Sequence, residues 1–179
     1  MESQGLQLRT TTTLRVFEGD IDEYRRLHGR VFGERLFLEE RQPIREQVIE
    51  GNLALQEGIV ALFNLLTGAA ETAFSEANAY LGVGDSSTPA ADTQTGLQAA
   101  TNKLYKAMDT DYPIVGAAAD KKVTFRATFG SADANYEWNE WTVASGNSDA
   151  ADNLNRKVAS LGTKSSGSSW QLTVEISAA

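Results

Sequence analysis

The chain has 179 residues, and its 16 lysines and arginines against 24 aspartates and glutamates give a formal charge of -8, which argues against a general affinity for nucleic-acid phosphates. It has no cysteine and a single histidine, His28, so disulfides, thiolate chemistry and multi-histidine metal centres are excluded. With 41% apolar and 22% charged residues, it can build a real core, and its length fits one domain or one domain with an appendage.

The opening MESQGLQLRTTTT lacks the basic start, apolar run and small-residue cleavage site of a secretory signal, so synthesis in a cytoplasm is expected. The longest apolar stretch, around Ile59 to Leu66, falls far short of the roughly 20 residues that span a bilayer. No membrane partner is expected.

Composition shifts near residue 51. The eight basic residues before Gly51 are all arginine (Arg9, Arg15, Arg25, Arg26, Arg30, Arg35, Arg41 and Arg45), set among ten acids. The rest holds two arginines, six lysines and many small polar residues. The expected division is therefore a charged N-terminal arm or assembly segment at 1–50 and a β-rich globular domain at 51–179.

In the first segment Leu6, Leu8, Leu14 and Val16 share one parity with Thr10 and Thr12 between them, which suits an extended strand or arm. From Asp20 to Glu50 the apolar pattern is irregular, and Gly29, Gly33 and Pro43 interrupt any long helix. Planar guanidinium groups pair bidentately with carboxylates on a neighbouring chain. This assigns Arg25, Arg26, Arg30, Phe32, Arg35, Phe37, Arg41 and Arg45 to an assembly interface. The competing reading is a solvated, charge-paired surface.

Residues 53–68 hold the clearest helix. Ile59, Leu62, Phe63 and Leu66 form one apolar stripe that reads as core, and Gly68 is placed to end it. Tyr80 to Val83 reads as a short strand running into a polar loop. Asp92 or Thr93 can cap a second short helix carrying Leu97, Ala100 and Leu104. Further on, Val123, Phe125, Ala127 and Phe129 alternate with Lys122, Thr124, Arg126 and Thr128, the pattern of a half-buried strand. Trp170, Leu172, Val174 and Ile176 repeat that pattern at the C-terminus. Between them Tyr136, Trp138, Trp141 and Val143 slip parity by one, as at a bulge or bend. The predicted fold class is mainly β with short helices (α+β), an antiparallel β-sandwich or barrel with an extended N-terminal arm.

Candidate chemistry is thin. Glu137 and Glu140, three apart on a strand, face opposite ways unless a bulge intervenes, so surface polarity is preferred to an acid–base pair. Asp109 with Asp111, and Asp149 with Asp152, lack the ligand spacing of a calcium loop. Gly82 to Asp85 and Gly162 to Ser165 match neither the phosphate loop nor the dinucleotide fingerprint. His28 has no triad-like setting. Trp138, Trp141 and Trp170 could stack on bases or sugars, although alternation puts Trp170 in the core. No catalytic, cofactor-binding or metal residue is assigned, and no enzyme is expected.

The succession GNLALQEGIVALFNLLTG, AYLGVGDSSTPAADTQTGLQ, KKVTFRATFGSADANYEWNEWTVASG and NRKVASLGTKSSGSSWQLTVEIS resembles a module of structural proteins of tailed bacteriophages, over roughly residues 51 to 177. The elements that carry it are Leu66-Thr67-Gly68, Tyr80 to Asp85, Leu97, Val123 to Phe129, Glu140, Asn155-Arg156, Thr163-Lys164 and Leu172 to Ile176. The resemblance implies a non-enzymatic virion component. The leading expectation is a capsid decoration, or cement, protein that binds the major capsid protein or other virion proteins and assembles as a homo-oligomer, a trimer, stabilising the shell through added interface. The alternative is a tail fibre, baseplate or adaptor component with a role in binding host-surface glycans.

Overall fold

The structure, a computed structural model, describes residues 8–178. In chain order its elements are β1 (Leu8–Glu18), α1 (Ile21–His28), α2 (Arg30–Glu40), β2 (Arg45–Glu50), β3 (Leu53–Ala54), α3 (Gln56–Thr67), β4 (Tyr80–Gly84), β5 (Lys103–Ala107), β6 (Ile114–Val115), β7 (Lys122–Phe129), β8 (Glu137–Ala144), β9 (Asn155–Thr163) and β10 (Ser168–Ala178). Two five-stranded antiparallel sheets, ordered β2-β1-β10-β7-β6 and β3-β9-β8-β4-β5, pack face to face. The chain is an antiparallel β-sandwich with short helices.

Period-two alternation decides which side chains enter the space between the sheets. From the first sheet come Leu14, Val16, Phe125, Ala127, Phe129, Trp170, Leu172 and Val174, and from the second Leu81, Val83, Trp138, Trp141, Val143 and Leu161, all buried. Trp138 sits edge-on to Phe129 and Trp170, with centroids 4.7 and 4.9 Å away. Its Nε1 donates to the Ala134 carbonyl at 2.9 Å, and Trp141 Nε1 donates to the Thr12 hydroxyl at 3.1 Å. Both indoles are thus fully buried with their polar atom satisfied. The parity slip expected in this strand is present, because the β8–β9 register shifts between Trp138 and Glu140. That shift lets two tryptophans three positions apart share the core face.

Over its described residues the charged first segment is not a trailing arm. β1 lies between β2 and β10, and its register with β10 runs from Leu8 opposite Ala178 to Glu18 opposite Ser168. Leu14, Val16 and Phe17 are buried. Residue 51 therefore marks a change of composition inside one sandwich. Arginine is concentrated before it because two arginine-rich helices, α1 and α2, follow β1.

Those helices form a hairpin hinged at Gly29, whose φ of 79° favours glycine. Asp20 caps α1 by accepting from Asp22 N at 3.1 Å. Gly33 does not interrupt α2. It is where the helices touch, and a Cβ there would lie 2.4 Å from the Tyr24 carbonyl oxygen. Phe17, Ile21 and Phe37 make a small second core beneath the hairpin.

The second expected helix is absent. Residues 85–102 form a loop folded over the outer face of the second sheet, and Leu104 belongs to β5. The loop's backbone is claimed by a side chain instead of by helical hydrogen bonds, since Gln98 N and Ala99 N donate to the Glu140 carboxylate at 3.0 and 2.7 Å. The expected α3 forms, and Gly68, with φ 73°, ends it. Its stripe is core only in part, however: Leu62 packs against the core and Ile59 is half-buried, but the residues α3 fully buries are Gly58 and Ala61, while Phe63 is 62% and Leu66 82% exposed. Gly58 rests directly on the backbone of Leu154, and this close approach turns the larger side chains outward.

Candidate interaction surfaces

α3 and the start of α1 sit at opposite ends of the first sheet, whereas α2 reaches back over it, with Val31 and Arg35 in one groove with Tyr112, Ile114 and Arg126. The hairpin closes the end where β1 finishes and β10 begins. There Ile21 N donates to the Ser169 hydroxyl at 2.9 Å, and the Ser131 hydroxyl donates to Asp20 at 2.6 Å. The α3 end is where β1 begins and β10 finishes. A cavity of about 430 Å³ lies there, lined by Leu8, Ile59, Leu62, Val115, Val123 and Ile176 among others. β7, eight residues long, puts the two ends roughly 25 Å apart at ~3.4 Å per residue.

At the α3 end the apolar surface continues outward from the cavity. Val60, Phe63 and Leu66 lie exposed on the helix, and Val115 on β6 is 80% exposed. Asn52 forms part of the cavity wall; its Oδ1 accepts the Thr10 hydroxyl at 2.9 Å, while its buried Nδ2 has no partner. Lys121 and Lys122 line the cavity, and acids gather on the other flank of α3, where it meets Asn153. Glu57 accepts from Asn153 N at 2.9 Å, and Glu71 accepts from Asn64 Nδ2 at 3.0 Å. Burial, and then the neighbouring Glu71 carboxylate, raise the Asp152 carboxyl above its ordinary value. Among the described residues, none of Glu57, Glu71 and Asp152 is ion-paired.

At the hairpin end Leu27, Val31 and Phe32 are exposed. Arg26 and Arg35 stand beside them with side chains 71% and 64% exposed, each meeting only an acid on its own helix at 4.0 and 3.8 Å. Arg35 also lies over the Phe32 ring, 5.2 Å from its centroid. His28 packs against Tyr24 and Phe32, with centroids 5.9 and 6.2 Å away.

The eight residues assigned to an assembly interface thus divide. Arg26, Phe32 and Arg35 share the exposed hairpin surface. Phe37 is fully buried. Arg25 turns inward to Asp22, Glu34 and Asp109 at 2.7, 3.0 and 3.1 Å. Arg30 donates to the Met108 carbonyl at 2.6 Å. Arg41 donates to the Glu18 carbonyl at 3.0 Å and lies over Tyr24 and Phe37, and Arg45 donates to the Leu161 carbonyl at 2.5 Å and lies over Trp170. Most of these guanidiniums stitch the chain to itself.

The other candidates also resolve into internal roles. Glu137 is exposed, whereas Glu140 is fully buried and paired with Arg156 at 2.7 Å. Asp109 accepts from Arg25, Arg126 and Thr128; burial pushes its carboxyl up, against the pull of the Arg126 and Arg25 guanidiniums. Asp149 pairs with Lys103 and accepts from the Tyr105 hydroxyl at 2.5 Å. Among the described residues no three metal-ligating side chains cluster. Gly82 leaves room for the Tyr105 ring and Gly84 for the Glu140 carboxylate. Lys164 donates to the Gly130 carbonyl at 2.7 Å, and burial holds its ammonium below the usual lysine range. Trp138 and Trp141 are buried and present no face to a sugar.

Val60, Glu71 and Val115 were not singled out by their residue type, and Asp152 drew notice only as a possible metal ligand with Asp149. The outward turn of α3 depends on Gly58 meeting Leu154, a contact between residues far apart in sequence. Compared with family models, with curated proteins and with solved structures, the chain shows no match in any of the three.

Proposed function

We propose that this chain is a structural protein of a tailed-bacteriophage virion, a capsid decoration protein that assembles with itself and with the major capsid protein and strengthens the shell through added interface. The observation that carries the reading is the pair of exposed apolar surfaces, one on α3 and β6 and one on the α1–α2 hairpin. Folded monomers rarely leave such contiguous patches to water, and patches of this kind mark contacts with other proteins. The order of motifs that resembles the phage module is the second support. Its residues Leu97, Glu140, Asn155, Arg156 and Lys164 are all buried, so that support bears on how the module folds.

A shell protein works by mass action. Each contact made only in the assembled state lowers the free energy of that state. A rigid sandwich with exposed apolar surfaces suits this role, because little conformational entropy is lost when it docks.

The test is the copy number of this protein relative to the major capsid protein in purified particles, by quantitative mass spectrometry. Near-stoichiometric amounts are expected. A handful of copies per particle would move the protein to the tail, as a fibre, baseplate or adaptor component, and its absence from particles would overturn the virion reading.

A further inference from the structure

Lys164 lies in the turn between β9 and β10 and is 1% exposed. Among the described residues no carboxylate pairs with it. Its Nζ donates instead to the Gly130 carbonyl at 2.7 Å and to Asn135 Oδ1 at 3.0 Å. Burial holds its ammonium below the usual lysine range, although the Asp133, Asp20 and Asp22 carboxylates pull the other way. A buried lysine that gives up its proton is a nucleophile. Lys103 and Lys106 differ in both respects, since each touches a carboxylate and stays partly exposed.

The carboxamide that Lys164 faces is held in place. Asn135 Nδ2 donates to the Ser131 carbonyl at 2.8 Å, which fixes the oxygen end of the amide toward Lys164. Lys164 N donates to the Tyr136 carbonyl at 3.0 Å, so its backbone and its side chain both address the turn that carries Asn135. The carboxamide carbon lies one C=O bond, about 1.2 Å, beyond the oxygen that Nζ touches. Groups positioned in this way react with the advantage of an intramolecular step. Asn135 is itself exposed, so a small leaving group has an open route to water.

From this geometry we infer that Lys164 and Asn135 are a self-modification site, and that their side chains join in an isopeptide bond between the β9–β10 and β7–β8 turns. The lone pair of neutral Nζ forms a bond to Asn135 Cγ, the Cγ–Nδ2 bond breaks, and Nδ2 leaves as ammonia with the proton that Nζ releases. The Asp133 carboxylate, two residues before Asn135, can carry that proton across. Nothing is oxidised or reduced, and no co-reactant is needed.

The bond supplies what the composition withholds. With no cysteine, the chain has no disulfide to staple its sandwich. The link encloses residues 135–164, which hold β8 and β9 with Trp138 and Trp141. Closing a loop covalently removes conformations from the unfolded chain and so favours the folded one. The inference does not depend on where the protein works.

The experiment is mass spectrometry of the purified full-length chain, intact and after trypsin. The intact protein should weigh one ammonia less than its sequence. The digest should contain a branched species that joins residues 127–156 to residues 158–179, because trypsin does not cut at an acylated Lys164. Asn135→Ala, a change at an exposed position, should show the full mass of its own sequence and release 158–164 as a separate peptide. Wild-type protein at its full sequence mass overturns the inference. So does an ammonia lost without the branched species, which would mean ring closure within a single asparagine, or a loss that persists in Asn135→Ala.

Discussion

Glu140 and Arg156 form an ion pair 2.7 Å apart in which neither side chain is reached by solvent. Arg156 also donates to Gln94 Oε1 at 2.9 Å and to the Thr88 carbonyl at 3.0 Å, and Glu140 also takes the amides of Gln98 and Ala99. Two charges on neighbouring strands thereby pin the 85–102 loop to the sheet. Removing one partner leaves the other buried and uncompensated. Glu140→Ala should lose ~3–5 kcal/mol of stability, and Glu140→Leu combined with Arg156→Met should lose less than either single change. Urea denaturation of the three variants measures this. A double variant less stable than both singles would contradict the account.

Gly33→Ala sets two effects of opposite sign against each other. Within a helix, alanine in place of glycine gains up to ~1 kcal/mol in propensity. Here the new Cβ would lie 2.4 Å from the Tyr24 carbonyl oxygen and 2.8 Å from Arg25 N. Backbone cannot yield as a flexible side chain does, so the helices must separate. Overpacking of this kind costs ~1–3 kcal/mol. The variant should be destabilised in thermal unfolding, with faster amide exchange in α1 and α2. Unchanged or raised stability would mean that the hairpin contact is looser than described.

β1, β7 and β10 were legible in the sequence because their apolar residues alternate, whereas β5 was read as part of a helix and β2, β6 and β9 were not read as strands. Val123 to Phe129 and Trp170 to Ile176 read directly as inward faces, and the slip between Trp138 and Trp141 marked the bulge. Leu97, Ala100 and Leu104 have helical spacing, but the buried Glu140 carboxylate competes for the backbone amides there, and no local pattern announces a partner some forty residues away. The arginine-rich stretch misled for a related reason. Composition shows that Arg25 and Arg45 need carboxylates or carbonyls, and it does not say whether these belong to the same chain. Of the interaction surfaces, the sequence showed the α3 stripe but not which way it faces.

β1 supplies the most direct check on domain organisation. Deleting residues 1–50 would remove β1 and β2, the whole hairpin, and the strand that covers one edge of β10 along its length. Leu14 and Val16 leave the core with it, at ~1.5–3 kcal/mol for each large apolar side chain. Against a typical total stability of ~5–15 kcal/mol, the 51–179 fragment should not fold. A dispersed proton spectrum and a cooperative unfolding transition for that fragment would show that the sandwich is complete without β1.

Asp20 ties stability to pH at the hairpin. Burial pushes its carboxyl up, but hydrogen bonds from the Ser131 hydroxyl and amide and from Asp22 N, with the nearby Lys164 ammonium, outweigh this and hold it below its ordinary value of 3.8. A carboxyl lowered in the folded state binds its proton less readily there than in the unfolded chain. Its contribution is therefore fully present above that ordinary value and is lost as the pH falls through the folded one. Asp20→Ala also removes the helix cap and should cost ~1 kcal/mol at neutral pH. The stability difference between wild type and Asp20→Ala should stay level from neutrality down to about pH 5 and shrink only below about pH 4, where the unfolded carboxyl begins to bind its proton. Urea titrations at a series of pH values read this difference. A difference that widened in acid would mean that the carboxyl is raised instead, and that burial outweighs Ser131.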